Sequence, residues 1–206
     1  MPSYKLTYFP IRGLAEPARL LFALSGTEFD DNRIEQDAWP SLKPNTPFGQ
    51  LPILEFDGKV LAQSFAIYRY LANEFGFAGK CNFEKAIVDM IADSQKDVGV
   101  EVREYFRVAA GMAEGDPAKL YEEKVKPAVS RQFPLLVKYL KESGSGFFVK
   151  SGVTWVDLLI SEQLSTFKNF QPDILNEYPE LEKHIETVRA LPQLKAYIEK
   201  RPVTQF

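Results

Sequence analysis

The stretch that decides the fold spans residues 48–71 and reads FGQLPILEFDGKVLAQSFAIYRYL. Its short apolar run at residues 53–56 predicts a β-strand, because such runs bounded by turn signals are typical of strands. The pair Asp57-Gly58 that follows is a strong signal for a two-residue hairpin turn. Residues 59–62 form the predicted returning strand, so the stretch begins with a β-hairpin.

Further signals flank this hairpin on both sides. Leu51 and Pro52 lie where a loop enters the first strand, and the free backbone groups ahead of the proline can pair with an extended peptide. Gln63 and Ser64 precede a run with helical spacing, which predicts a helix start whose backbone amides can receive a carboxylate. The combination indicates a binding site for a small peptide-like anion.

Composition and charge exclude several classes of protein. The chain has 206 residues and a formal net charge of −3, which gives no electrostatic footprint for binding nucleic acid. It lacks a run of eighteen apolar residues, so we expect no membrane span, and its first residues lack the layout of a secretion signal. The single cysteine, Cys81, excludes an internal disulfide and a multi-thiolate metal site. The expected compartment is cytoplasmic.

Two patterns of sequence meet near residue 80. Up to Phe77, short strand and helix patterns alternate as β-α-β and then β-β-α, which suggests an α/β domain on a small mixed sheet. After a linker at residues 76–80 the pattern is helical throughout. We therefore expect two domains, an α/β domain at residues 1–79 and an all-helical domain at residues 80–206.

Helix signals support the all-helical assignment. Asp116 can cap a helix that has proline at its first position, and Thr154 to Asp157 form a variant of the capping box. His184 lies among charged neighbours and is expected on a solvated helix face. The long helix after residue 82 should form one apolar face. Its members are Ile87, Met90, Ile91, Ser94, Val98 and Val102.

The order of motifs in residues 51–71 resembles the glutathione-site half of soluble glutathione transferases. The matching motifs are Leu-Pro-x-Leu, then Asp-Gly, then Gln-Ser-x-Ala-Ile-x-x-Tyr-Leu, and the resemblance covers essentially the whole chain. It implies the fold of that family, an α/β thioredoxin-like N-terminal domain followed by an all-α C-terminal domain. It also implies a cis peptide bond before Pro52 and pairing of the Leu51 backbone with the cysteinyl part of glutathione.

A second motif contains the expected catalytic group. Residues 8–13 read YFPIRG and resemble the Tyr-Phe-x-x-Arg-Gly motif of sigma-type transferases, a class related to haematopoietic prostaglandin D synthase. The resemblance implies that the neutral phenol of Tyr8 donates a hydrogen bond to the glutathione sulfur. A free thiol with a pKa near 8.5 is mostly protonated at neutral pH, and one charge-assisted hydrogen bond can lower that pKa by about one unit or more. Strand position alone favours simple packing of Tyr8, as for Tyr4.

The resemblance also assigns residues to the glutathione site, one by one. Lys43 and Trp39 offer N–H donors that suit the glycyl carboxylate, and Gln63 and Ser64 suit the charged γ-glutamyl end. Lys96 interrupts the acidic cluster that binds a divalent cation in vertebrate sigma members, so no metal is expected to be required. The implied glutathione contacts are Tyr8, Trp39, Lys43, Gly49, Gln50, Leu51, Pro52, Gln63 and Ser64, with Asp97 supplied by the partner subunit of a homodimer.

The expected second-substrate pocket is apolar. Leu14 stands where vertebrate prostaglandin D synthases of this class have an arginine, which implies a wider, more apolar cleft and weakens a transfer of their isomerase activity. The nematode and invertebrate branch of the class shares such a cleft, and some of its members bind haem-like ligands. The implied pocket residues are Phe9, Leu14, Arg103, Tyr105, Phe106, Leu159 and Phe206.

The resulting hypothesis is a cytoplasmic, homodimeric enzyme that adds the glutathione thiolate to small hydrophobic electrophiles, as in detoxification, with glutathione as co-substrate. Three alternatives stay open: a glutathione-dependent prostaglandin D synthase, a non-catalytic binder of haem-like and other apolar ligands, and a structural protein such as the lens crystallins recruited from this family. The presence of Tyr8 together with the glutathione contacts argues against a loss of chemistry.

Overall fold

A four-stranded mixed sheet organises the first part of the chain. The structure, a computed structural model, describes residues 3–206. The strands are β1 (Tyr4–Tyr8), β2 (Phe29–Arg33), β3 (Ile53–Phe56) and β4 (Lys59–Ala62). They lie in the order β2-β1-β3-β4, with β1 parallel to β2 and the other neighbours antiparallel. The predicted hairpin is confirmed, with both strands at the predicted residues.

Two main helices pack with this sheet. Helix α1 (Glu16–Ser25) and helix α3 (Ser64–Phe75) contact each other, and α3 also contacts β3 and β4. Fully buried leucines such as Leu6 and Leu54 form the core, which removes apolar surface from water. The remaining elements of this part are a 3₁₀ turn at Gly13–Ala15, helix α2 (Trp39–Leu42) and a 3₁₀ turn at Lys43–Asn45.

The second part of the chain is helical, as predicted. The Asp116 side chain caps α5, since it accepts hydrogen bonds from the Ala118 and Lys119 amides at 2.9 and 3.2 Å. On α4, Ile91 and Val98 are buried, whereas Met90 at the edge of that face is 47% exposed. The elements are α4 (Asn82–Ala109), α5 (Pro117–Leu120), a π-helical turn (Tyr121–Val125), α6 (Lys126–Ser143), α7 (Trp155–Phe170), α8 (Pro179–Arg189) and α9 (Pro192–Ile198).

The expectation of a solvated His184 was wrong. His184 is only 2% exposed, and its Nε2 lies 3.7 Å from the buried carboxylate of Asp157. The charged neighbours of His184 had predicted a solvated position. Helical spacing instead places His184 with Leu181, Ile185 and Val188 on the apolar face of α8. Periodicity therefore outweighs local composition here.

Asp157 closes the predicted capping box at the start of α7. Its carboxylate accepts hydrogen bonds from the Thr154 amide and hydroxyl, both at 2.8 Å, and from the Phe148 amide at 3.0 Å. Complete burial raises the pKa of Asp157 above its ordinary value. These three donors compensate a carboxylate that water does not reach.

The chain divides into two compact units. The first extends to Ala78 and includes Thr187–Phe206, and the second is Gly79–Glu186. In the first unit, α9 packs on α1, although the sequence assigns α9 to the helical domain. A domain boundary at residues 79 and 80 stays a prediction. Among residues 3–206, every helix is too short or too polar to cross a bilayer.

Candidate active site

Tyr8 ends β1 and turns its hydroxyl toward the backbone that follows. The side chain is 7% exposed, and its oxygen accepts a hydrogen bond from the Leu14 amide at 3.2 Å. Gly13 makes this approach possible: it has a φ of +40°, and a Cβ placed on it would lie 2.8 Å from the Tyr8 oxygen. The Leu14 amide can only donate, so it occupies an acceptor position of the phenol oxygen.

Aromatic rings continue from Tyr8 toward the predicted glycyl subsite. The Phe9 ring lies edge-on to Tyr8 at a centroid distance of 5.5 Å, and it contacts the Trp39 ring in the same manner at 6.0 Å. Phe9 and Trp39 are both half-buried. Since Phe9 lies between the other two rings, the structure brings a predicted pocket residue into contact with two predicted glutathione contacts.

Leu14 is held by its backbone. Its amide donates to Tyr8, and its carbonyl accepts a hydrogen bond from the hydroxyl of Tyr68 on α3. The Leu14 side chain is 48% exposed. The sequence suggested no role for Tyr68, because only the packing of α3 against the turn after β1 brings it within reach.

A buried ionic network fixes the loop after Tyr8. The Arg19 side chain on α1 is fully buried and donates to the Ile11 carbonyl at 2.7 Å. The same guanidinium pairs with Asp31 at 2.9 Å and with Glu16 at 3.1 Å. Buried charges are tolerated when they are paired in this way. Arg19 thus ties the loop to α1 and β2.

Glu16 extends the network to the end of the chain. It is 1% exposed and accepts hydrogen bonds from Tyr197 at 3.1 Å and from Arg201 at 2.7 Å. Arg12 contacts the same terminal segment, since its amide donates to the Phe206 carbonyl at 3.2 Å. The structure therefore places Phe206 beside the loop that follows Tyr8, although the partners Glu16 and Arg201 carried no signal in the sequence.

The predicted peptide-binding edge has the expected backbone form. The bond between Leu51 and Pro52 is cis, as the resemblance implied. Gln63 precedes α3 with a φ of 72°, and its side-chain Nε2 donates to the side-chain Oε1 of Gln50 at 3.0 Å. Ser64 is the first residue of α3. Two predicted glutathione contacts that are distant in sequence, Gln50 and Gln63, thus form one polar surface.

The basic end of the predicted site lies on the neighbouring loop. The Lys43 stem lies over Gly49, because a Cβ placed on this glycine would be 3.5 Å from Lys43 Cε. Gly49 has a φ of +60°, so a glycine suits both the turn and the close lysine. The Lys43 side chain is exposed. Its ammonium is available to a carboxylate ligand.

The remaining predicted residues belong to the second unit. Asp97 and Arg103 are exposed on α4, whereas Tyr105 and Leu159 are buried. Arg103 and Tyr105 point to nearly opposite sides of α4, because two residues advance a helix by about 200°. Tyr105 contacts Phe106 in an aromatic cluster, and its hydroxyl accepts from Gln171 at 2.9 Å. The assignment of these residues to a pocket stays a prediction.

Metal ligands are not grouped in the described part of the chain. Across residues 3–206, no cluster of three or more His, Cys, Asp or Glu side chains could hold a metal ion. Cys81 is exposed at the start of α4. The polar groups described at the candidate site are the Tyr8 hydroxyl, the side-chain amides of Gln50 and Gln63 and the Lys43 ammonium.

Comparisons with known proteins agree with this geometry. The family model described as Glutathione S-transferase, N-terminal domain matches residues 4–73, and the one described as Glutathione S-transferase, C-terminal domain matches residues 102–201. "Glutathione S-transferase 1" of Ascaris suum is 52% identical over 206 residues, with all of both chains covered. The crystal structure of the glutathione S-transferase from Ascaris lumbricoides has a TM-score of 0.96 at 52% identity, covering 99% of this chain and 100% of that chain.

Other similar structures include a transferase of a named class, a monomeric transferase and a prostaglandin synthase. A Nu-class transferase from Haemonchus contortus has a TM-score of 0.92 at 46% identity, with full coverage of both chains. A transferase of Necator americanus described as monomeric has a TM-score of 0.95 at 50% identity and covers 99% of this chain and 100% of its own. The prostaglandin synthase D of Nilaparvata lugens has a TM-score of 0.87 at 36% identity, with 98% and 100% covered.

Proposed function

This chain belongs to the glutathione S-transferase family, and we propose that it conjugates the glutathione thiolate to small hydrophobic electrophiles, with Tyr8 as the catalytic residue. Its curated relatives are named as transferases of this family, and glutathione is the family's co-substrate. The observation that supports Tyr8 most directly is its hydrogen bond from the Leu14 amide. That bond fixes the phenol oxygen through one of its acceptor positions, which would orient the hydroxyl as a donor toward the sulfur.

The mechanism follows from this arrangement of donors. A phenol that donates to a thiolate stabilises the charged sulfur relative to the thiol, so the thiol pKa falls. The Leu14 amide strengthens the phenol as a donor, because hydrogen bonds in a chain polarise one another. The bound thiolate then attacks the electrophilic carbon, the leaving group departs with its electron pair, and the thiol proton passes to solvent.

The two ends of glutathione are assigned to opposite sides of the cis proline. The exposed ammonium of Lys43, near Trp39, suits the glycyl carboxylate. At the other end, Ser64 and the first amides of α3 suit the γ-glutamyl carboxylate, where the helix start favours an anion. The backbone of Leu51 would pair with the central residue. This assignment explains why the site needs a loop, a strand end and a helix start together.

Removing the Ser64 hydroxyl tests the γ-glutamyl subsite. In Ser64→Ala, we expect the Kd for glutathione to rise about tenfold, equal to about 1.5 kcal/mol, because a half-buried charge-assisted hydrogen bond is lost. The rate constant at saturating glutathione should change little, since this carboxylate is remote from the sulfur. Isothermal titration calorimetry measures the Kd, with Ser25→Ala as a control that loses a hydroxyl elsewhere in the same unit. A wild-type Kd in Ser64→Ala would refute the assignment.

A homodimer in which Asp97 contacts the partner's glutathione is also part of the proposal. Asp97 is exposed on α4, so its carboxylate can reach a ligand outside its own chain. In Asp97→Ala, we expect a folded dimer and a Kd for glutathione up to about fivefold higher, the size of a partly exposed ion pair. The difference should narrow at high salt.

A heterodimer of Asp97→Ala and Ser64→Ala subunits decides which chain Asp97 serves. If Asp97 acts across the interface, one site of this heterodimer lacks both contacts and the other lacks neither. Calorimetry should then resolve one strong and one weak site. Two weakened sites, one with the Kd of Ser64→Ala and one with the Kd of Asp97→Ala, would show that Asp97 serves its own subunit. A purely monomeric protein would refute the shared site.

Prostaglandin isomerisation is the second candidate function. It is favoured by the likeness to the prostaglandin synthase D of Nilaparvata lugens, whereas Leu14 in place of an arginine disfavours it. The deciding experiment measures conjugation of glutathione to a panel of aryl halides and unsaturated aldehydes, with prostaglandin H2 and haem titrated in parallel. Conjugation supports the proposal. Isomerisation without conjugation, or ligand binding without either activity, would replace it.

Detoxification, a cytoplasmic location and membership of the sigma class remain parts of the proposal.

A further inference from the structure

Tyr68 is a buried tyrosine at the centre of the first unit. Its side chain is fully buried on α3, and its hydroxyl donates to the Leu14 carbonyl. Burial raises the pKa of Tyr68 well above its ordinary value, which favours the neutral hydroxyl. A buried hydroxyl in a hydrophobic core needs such partners.

The contact of Tyr68 with Leu14 has a consequence for Tyr8. Leu14 lies in the 3₁₀ turn Gly13–Ala15, and its half-exposed side chain offers little packing to hold it in place. Its two backbone groups bind two tyrosines, since the amide donates to Tyr8 and the carbonyl accepts from Tyr68. The Tyr68 hydroxyl therefore contributes to the position of the Leu14 amide, together with the hydrogen bonds from the Ala15 and Glu16 amides to the Arg12 carbonyl.

We propose that Tyr68 is a positioning residue that holds the Leu14 amide on the phenol oxygen of Tyr8. The inference rests on the proposed function, because it gives the hydroxyl of Tyr8 the role of donor to the glutathione sulfur. With the amide in place, the phenol proton is directed to the sulfur and the phenol is a stronger donor. Without the Tyr68 hydroxyl, the Leu14 turn can shift and the phenol of Tyr8 loses its fixed orientation.

Removing one hydroxyl tests this arrangement. In Tyr68→Phe, we expect the pKa of the bound glutathione thiol to rise by about half a unit, which lowers the conjugation rate below that pKa about threefold. The Kd for glutathione should stay within about twofold of wild type, because Tyr68 is fully buried and is not one of the predicted glutathione contacts. The ultraviolet absorbance of the bound thiolate, followed against pH, measures the thiol pKa directly.

Tyr4→Phe is the matched control. Tyr4 is also a buried tyrosine of this unit, on the same strand as Tyr8, and its hydroxyl hydrogen-bonds to Tyr70. Both variants lose one buried hydroxyl and keep the ring, so both should fold and both can lose thermal stability. Only Tyr68→Phe should raise the thiol pKa and speed hydrogen exchange at the Leu14 amide. Equal thiol pKa values in the two variants would overturn the inference.

The double variant Tyr8→Phe/Tyr68→Phe separates the inference from the proposed function. If Tyr68 acts through Tyr8, its removal should not raise the thiol pKa further once the Tyr8 hydroxyl is absent. Additive effects would show that Tyr68 acts by another route. If the single variant Tyr8→Phe has the thiol pKa of the wild type, the proposed role of Tyr8 fails. If Tyr8→Phe raises the thiol pKa but Tyr68→Phe does not, the positioning role of Tyr68 fails and the proposed role of Tyr8 stands.

Discussion

Replacing Tyr8 with phenylalanine is expected to lower the rate constant for conjugation about 100-fold. A charge-assisted hydrogen bond contributes up to about 3 kcal/mol, which corresponds to a rate change of about this size. We expect the upper end of that range because Tyr8 is nearly buried and its oxygen is already oriented by the Leu14 amide. The Kd for glutathione should stay within about twofold, since the thiol form gains little from this hydrogen bond. A loss confined to the rate constant marks a group that favours the thiolate.

Steady-state kinetics with a standard aryl halide, together with calorimetry for glutathione, measures both quantities. Tyr70→Phe is a suitable control, because Tyr70 stacks on Phe56 in the same unit and lies outside the proposed site. Its rate constant should match that of the wild type. A Tyr8→Phe enzyme as fast as the wild type would show that the catalytic assignment is wrong.

Replacing Glu16 with alanine is expected to lower the free energy of unfolding by about 3–5 kcal/mol. Losses of this size are typical when one member of a buried ion-pair network is removed. Glu16 is 1% exposed and accepts from Arg19, Tyr197 and Arg201. Arg19 would keep Asp31 as a partner, but the guanidinium of Arg201 and the hydroxyl of Tyr197 would each lose the acceptor they share.

Urea denaturation at constant protein concentration measures the loss. The matched control is Glu122→Ala, which removes the carboxylate of an exposed pair with Lys126 one turn later on the same chain. Loss of this pair should not measurably change the unfolding midpoint, because exposed ion pairs contribute little to the free energy of unfolding. If Glu16→Ala unfolded at the same urea concentration as Glu122→Ala, the buried network would not be a major source of stability.

Most of the fold could be predicted because its signals are local. The hairpin at Asp57-Gly58, the cap at Asp116 and the box at Thr154 each depend on residues within a few positions of one another. Backbone geometry and short-range hydrogen bonds decide such features before any distant contact forms. The order of the elements predicted an α/β domain followed by helices, the family resemblance specified the thioredoxin-like form of that domain, and the structure confirms the fold class.

The candidate site could be predicted only in part. Tyr8, Ser64 and the Leu51–Pro52 bond were named from motifs, and the structure describes each at the end or start of the expected element. The predicted exposure of His184 was wrong. His184 is buried, because helical spacing, rather than its charged neighbours, decides which side of α8 it occupies. Pocket membership of Tyr105 and Leu159 remains a prediction.

The amino-acid sequence was enough to predict the order of strands and helices, the caps that begin two of the helices, and the motif residues of the proposed glutathione site. Only the tertiary structure decided that Tyr68 reaches Leu14 across 54 positions and that Arg201 reaches Glu16 across 185. The physical reason is the range of the interactions. A turn or cap is satisfied by its own neighbours, whereas a buried hydroxyl or charge takes whichever partner the packing of distant elements brings within about 3 Å.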